Sequence, residues 1–332
     1  MFDKNIDFLA IGDITTDAFI RLKEANVHCK IDNDNCELCM KFGDKLPFEY
    51  VKIIKAVGNS ANVSVAISRI GIRSGLISEI GDDLNGKDCL NVLKHEKVDS
   101  RYVSVNRGMP SNYHFVLWFN SDRTILVNHI EYKYKLPSIK KTPKWIYLSS
   151  LASNTKDYHD EIADYLNVNK EVKLAFQPGT FQIKLGIKEL KDIYKRTEVF
   201  ICNFEESQKI LHIESRDIKI LLSEIHANGP KIVLITDGPK GAYMLDGEHF
   251  YFMPIYPDPK PPLERTGCGD AFASTFVGAL MLGKAPLEAL IWAPINPMSV
   301  VQYVGAQEGL LNQENIEWFL KNAPPEYKPR EI

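Results

Sequence analysis

Residues 60–83, SANVSVAISRIGIRSGLISEIGDD, carry the pattern from which the fold is read. Small and apolar side chains recur at helical spacing as far as Gly71, a residue suited to the left-handed turn that ends a helix, and IRSGLISEIGDD then reads as a strand. Upstream, IDFLAIGDI (6–14) is a short apolar run closed by Gly12 and its neighbours, the signature of a buried strand. The first unit is therefore strand, helix, strand. The rhythm recurs: PKWIYLSSL (143–151), VKLAFQPG (172–179), TEVFICNFEES (197–207) and PKIVLITDGPKGAYML (230–245) alternate with helical stretches such as DYHDEIADYLNVNK (157–170) and DIKILLSEIHANG (217–229). Such alternation predicts an α/β fold, a mainly parallel sheet covered by helices on both faces.

Two stretches depart from this rhythm. Residues 17–55 and roughly 100–130 hold alternating, aromatic-rich segments, among them SNYHFVLWFN (111–120) and SDRTILVNH (121–129), which predict a hairpin through Asn120 to Arg123. A small second sheet, grown from two loops of the core, is expected. A chain of 332 residues that is 45% hydrophobic suits one large domain with such an appendage.

The net charge of −3, with acids and bases interspersed, gives no electrostatic footprint for nucleic acid or an anionic membrane surface. MFDKNIDFLAIGDITTD (1–17) runs straight into a strand with no charged leader, and no later apolar run is long enough to span a bilayer, so a cytoplasmic location is expected. Six cysteines are too sparse for a disulfide framework. In HCKIDNDNCELC (28–39), His28 or Cys29 with Cys36 and Cys39 reads either as a zinc site or as free thiols, and the missing second pair favours thiols.

The chemistry concentrates in ERTGCGDAFASTFVGALML (264–282). Gly267 and Gly269 permit close backbone approach, and the helix that follows aims unpaired N–H groups and a positive dipole end at whatever lies before it, which makes an anion cradle. Asp270 stands at its rim. It reads either as the base that takes a proton from an alcohol attacking a phosphoryl group, or as a cap on a helix. Asn203 and Glu206, three apart after a strand, read either as oxygen groups beside a hydrated magnesium ion or as a capping pair. Thr236, Gly238 and Gly241 mark a turn that either approaches a nucleotide or closes an ordinary hairpin. Asp17, with Gly58, Asn59 and Asn62 in VGNSANVSVA (57–66), offers a carboxylate and amides of the kind that grip vicinal hydroxyls, or else a turn acid and a helix start.

Taken in order, IGDITTD, GNSANVSVAISRIG, SEIGDDLNG, NFEES, TDGPKGA and RTGCGDAFASTFVGAL resemble the ribokinase-like carbohydrate kinases, the PfkB family, over nearly the whole chain. The resemblance implies a Rossmann-like three-layer core with a β-sheet lid, and ATP-dependent phosphorylation of a primary hydroxyl on a ribose- or fructose-like sugar. By the same likeness Gly267, Cys268 and Gly269 form the anion hole and Asp270 is the base. Asn203 and Glu206 organise Mg²⁺ and phosphate, while Thr236, Gly238, Gly241 and Asn296 border ATP. Asp17, Gly58, Asn59 and Asn62 fall in the sugar site. Val57 replaces the first of the family's paired glycines, which loosens the substrate assignment. Glu264 and Arg265 replace the family's aspartate and threonine beside the monovalent-cation site, which weakens the expectation of K⁺ activation. The resemblance also implies a homodimer paired through the lid. Two competing readings accompany this one: a ribonucleoside kinase, with Tyr113, Phe115 and Trp118 stacking on a base, and a catalytically silent sugar-binding regulator.

Overall fold

A computed structural model of the chain describes residues 5–28, 37–120 and 122–332. Strand Phe8–Ile11 is wholly buried and pairs in parallel with Ser74–Gly81 on one side and Trp145–Leu148 on the other. A strand covered on both faces needs apolar residues at every position, which is why its sequence shows no alternation. Phe8 and Ala10 enter one apolar layer, with Val63, Ile67, Phe276 and Trp292. Leu9 and Ile11 enter the opposite layer, with Ile162, Leu166, Leu221 and Ile225, as successive strand residues must.

Around this strand the main sheet runs, in parallel, from Asp99–Asn106 through Ser74–Gly81, Phe8–Ile11, Trp145–Leu148, Lys173–Phe176 and Thr197–Asn203 to Ile232–Thr236. Ala242–Asp246, His249–Met253 and Arg330–Glu331 extend it in antiparallel sense. Helices Asn59–Arg69 and Cys268–Met281 lie together on one face. Their approach is close at Gly278, where an added Cβ would come within 3.1 Å of Ile70 Cδ1. The result is a helix–sheet–helix sandwich whose parallel strands all end at the same rim, where ligands of such sheets bind.

The second sheet has the order Phe48–Val57, Thr15–Leu22, Tyr113–Phe119, Asp122–Leu126. Phe119 opposes Asp122, and Asn120 takes φ 54° at the turn. The start of the stretch 100–130, read from sequence as lid, instead belongs to strand Asp99–Asn106, which pairs with Ser74–Gly81 in the main sheet. Parallel register puts His114, Val116 and Trp118 on one face with Asp17, Phe19 and Arg21, and leaves Phe115 on the other. Trp118 is 2% exposed, packed with Phe19, Val116 and Val304 under the guanidinium of Arg21. Phe115 is 46% exposed.

Cys29 and Cys36 lie outside the described residues. Cys39 is a free thiol on strand Glu37–Cys39, paired with Asn26–His28. Among the described residues no group of three or more His, Cys, Asp and Glu side chains is placed to hold a metal ion, and no helix is long and apolar enough to cross a membrane.

Candidate active site

Between the lid and the strand ends lies a cleft of about 480 Å³, bordered by Asp17, Gly58, Asn59, Asn62, Asn203, Glu206, Thr236 and the loop Gly267–Gly269 with Asp270. A second, mainly apolar cavity of about 250 Å³, lined by Pro239, Pro254, Tyr256, Phe272 and Met298 among others, adjoins it. Thr236, Cys268 and Gly269 border both, so the glycine loop stands at the junction.

Gly267 takes φ 83° at the N-cap of helix Cys268–Met281, and an added Cβ would overlap Ala306. Only glycine fits both the conformation and the space. The first-turn amides that follow have no intrahelical partner and border the cleft. Asp270 is buried in that first turn. Asn59 Nδ2 donates to its Oδ1 and Asn62 Nδ2 to its Oδ2, each at 2.7 Å, and Gln177 Nε2 lies 3.4 Å from Oδ1. Burial raises the Asp270 carboxyl above its ordinary pKa, and the amide donors pull the other way. Burial also pushes the Cys268 thiol up to about 12, which keeps it protonated.

Asn59 and Asn62 thus hold the acid. Asn62 is engaged at both ends, since its Oδ1 accepts Gln307 Nε2 at 3.0 Å. Asn203 and Glu206 form a reciprocal capping box: Asn203 N–H donates to Glu206 Oε2 at 2.9 Å and Glu206 N–H to Asn203 Oδ1 at 2.8 Å. The pair nevertheless borders the cleft. Burial raises the Glu206 pKa, with the Asp270 charge adding to it. Thr236, Gly238 and Gly241 belong to an antiparallel hairpin of Ile232–Thr236 and Ala242–Asp246, and its turn lines the apolar cavity. Asn296 is a correction. It is fully buried, donates to Thr275 Oγ1 at 2.8 Å and accepts Leu311 N–H at 2.8 Å, while Pro294, Pro297 and Met298 of the same segment line the cavity.

At the far end of the cleft Asp17 Oδ1 is buried without a hydrogen-bond partner, 3.3 Å from His114 Nδ1 but not aligned with it. Gly58 takes φ 107°, and a Cβ there would sit 2.6 Å from Asp13 O. Val57 is buried beside it and does not line the cleft. Sequence reasoning missed several neighbours. Asp13 accepts Tyr134 Oη at 2.8 Å and meets His129 Nδ1 at 3.0 Å, and His114, Gln177 and Arg123 also line the cleft. Asp13 had a signal, an acid directly after the first strand. His129 and Tyr134 had none, because 116 and 121 residues separate them from Asp13. Tyr113, Phe115 and Trp118 are not among the residues that line the cleft.

The order of these elements along the chain is matched by a profile of the pfkB family carbohydrate kinases over residues 54–313. The chain belongs to this family. It is 25% identical to ribokinase of Bacillus subtilis over 79% of this chain and 87% of that one, and 23% identical to 5-dehydro-2-deoxygluconokinase of Clostridium tetani over 81% and 85%. Ribokinase of Arabidopsis thaliana, solved with ribose and ATP, superposes with a TM-score of 0.77 at 17% identity, covering 96% of this chain and 99% of that one. A nucleoside kinase of Methanocaldococcus jannaschii gives 0.77 at 15% identity with the same coverage. This pfkB-family chain is an ATP-dependent sugar kinase with the ribokinase fold.

Proposed function

We propose that the chain transfers the γ-phosphoryl group of ATP to a primary hydroxyl of a ribose- or fructose-like sugar. The observation that carries this is the placement of Asp270: a buried carboxylate oriented by two asparagines, at a helix start, where an apolar cavity meets a polar cleft. In this reading the sugar lies under the lid with its hydroxyls on Asp17 and its neighbours. The unpartnered Oδ1 of Asp17 is an acceptor waiting for an O–H donor. Asp270 takes the proton of the attacking hydroxyl, and the amides at Gly267–Gly269 stabilise the charge that develops on the transferred group. ATP occupies the apolar cavity and runs its phosphates to the glycine loop.

The donor set fits Mg²⁺ held mostly by water and phosphate: Glu206 borders the cleft with the glycine loop and Asp270, and a cation there would offset the cost of keeping its buried carboxylate ionised. Held near Glu206, such an ion would supply positive charge that offsets the charge of the transferred phosphate. Glu264, which stands in place of the family's aspartate beside the monovalent-cation site, has Arg123 Nε 3.5 Å away as a counter-charge, in keeping with a weakened expectation of K⁺ activation. The nucleoside alternative loses the stacking residues read for it, since Trp118 is buried in the lid and Tyr113 and Phe115 fall on the lid's other, outer face. That outer face, with Ile53 at 53%, Phe115 at 46% and Leu126 at 51% exposure, is read as the surface on which two lids pair into a homodimer. The test is ADP release with Mg²⁺ and ATP against a panel of pentoses, hexoses and nucleosides. Turnover with a free sugar is expected, and turnover confined to nucleosides overturns the reading.

A further inference from the structure

Two contacts tie the inner face of the lid to the back of the glycine loop. The first is apolar. Phe19, Val116 and Trp118 of the lid form one cluster with Val304, with Ile54 packed against it. The next residue, Gly305, has φ 93° and no room for a Cβ, which would fall on Ile54. Ala306 then stands against Gly267, the residue whose own missing Cβ it would overlap. Lid, 304–306 segment and glycine loop are therefore in continuous van der Waals contact.

The second contact is ionic. Glu264 is completely buried and organises the same two segments: its Oε1 accepts Thr266 N–H at 2.7 Å and Thr266 Oγ1–H at 2.6 Å, and its Oε2 accepts Gly305 N–H at 3.4 Å. A carboxylate taken wholly out of water needs a counter-charge as well as donors. Arg123, on lid strand Asp122–Leu126, brings its Nε to 3.5 Å from Glu264 Oε1. In register, Arg123 is the partner of Trp118, so both contacts come from one rung of the lid. Arg123 also lines the cleft and lowers the Asp270 pKa through its charge, which places it within electrostatic reach of the reacting groups.

We infer that Arg123 is a positioning residue that couples the lid to the anion hole: docked through Trp118 and Arg123, the lid fixes Glu264 and hence the Thr266–Gly267 backbone on which the transferred phosphoryl group depends. The inference rests on the proposed role of the Gly267–Gly269 loop. Its physical consequence is that the loop is set for catalysis only while the lid is down. A displacement of about 1 Å at such a site costs on the order of 100-fold in rate.

The experiment uses the full chain with Arg123→Gln, Arg123→Lys, Arg123→Ala and Glu264→Gln. Amide hydrogen exchange, followed over residues 262–270 and 300–308, reads the coupling without any turnover. Exchange there is expected to rise about tenfold or more in Arg123→Gln and in Glu264→Gln while the strands of the main sheet keep the parent's protection. With the best sugar from the panel, kcat of Arg123→Gln is expected to fall about 100-fold with the Michaelis constant for ATP within about threefold, because the loop acts on the transition state. Lysine keeps the charge but not the planar guanidinium shape and is expected to fall between. In Arg123→Ala, added guanidinium chloride at millimolar concentration is expected to restore part of kcat, which a loss of general stability would not permit. Unchanged exchange at 262–270 in folded Arg123→Gln and Arg123→Lys overturns the coupling. If no sugar is phosphorylated by the parent, the proposed function fails while the exchange result still decides this inference.

Discussion

Replacing Asp270 by asparagine tests the chemistry most directly, because the surrounding hydrogen bonds dictate what the variant keeps. Asn62 cannot turn over, since Gln307 holds its Oδ1, so its Nδ2–H still needs an acceptor and takes the new carboxamide oxygen. The new NH₂ then faces Asn59, whose amide can flip to present oxygen, and it forfeits the long 3.4 Å contact from Gln177. One weak hydrogen bond costs about 1 kcal/mol or less, and removal of a buried charge offsets it, so the variant is expected to fold with stability near the parent's. The pH dependence has a definite sign. The folded pKa of Asp270 is raised, so the native state binds more protons than the unfolded one, and this group's contribution to stability falls as pH rises from the ordinary carboxylate range through the folded value. Asp270→Asn removes that decline, and its melting temperature is expected to gain on the parent's as pH rises through this window. Turnover behaves oppositely. A positioned base is worth about 100- to 10,000-fold, or roughly 3–5 kcal/mol, and kcat should fall by that much with ATP binding retained. The parent's kcat/KM should rise with pH along an acid limb set above the ordinary carboxylate range. ADP-release kinetics with calorimetric ATP titration make the measurement. A folded Asp270→Asn variant within tenfold of the parent's kcat refutes the assignment of the base.

Glu206→Gln keeps an oxygen for the Asn203 N–H, so helix Phe204–Leu211 should survive while the Mg²⁺ dependence of the rate moves to higher concentration; a change confined to the sugar Michaelis constant points elsewhere. Gly267→Ala forces a Cβ onto Ala306 at φ 83°, with an expected loss of about 1–3 kcal/mol in stability and about 100-fold in kcat, checked by denaturant melts and initial rates; parent-like kcat would show that the loop does not serve the reaction. The two lid aromatics should separate. Trp118→Ala opens a cavity under Arg21 and should cost about 3–5 kcal/mol in denaturant melts, whereas Phe115→Asp should leave stability near the parent's and dissociate a dimer in sedimentation velocity. A parent that sediments as a monomer at all concentrations removes the dimer reading.

Much of this was legible in the residues alone. Continuous apolar runs such as Phe8–Ile11 encode strands buried on both faces, and the glycine-rich starts at Gly58 and Gly267 encode backbone conformations that few other residues adopt. Local pattern suffices there because the determining interactions lie within a few residues. It also marked Asp270, Asn203 and Glu206, whose helix starts are local events, without deciding whether they cap, catalyse or do both.

The partners were another matter. Asn62 meets Asp270 across 208 residues, His129 meets Asp13 across 116, and Arg123 reaches Glu264 from the lid sheet. No periodicity records such pairs, since contact over that separation is set by how the sheet orders its strands. The same holds for Asn296, whose buried amide bridges Thr275 and Leu311, and for residues 99–106, whose alternation fits a lid strand as well as the sheet edge they join. Side-chain chemistry along the chain determined which groups were available for phosphoryl transfer. Tertiary packing decided which of them face the cleft, because burial and hydrogen-bond satisfaction are properties of neighbours brought together in space.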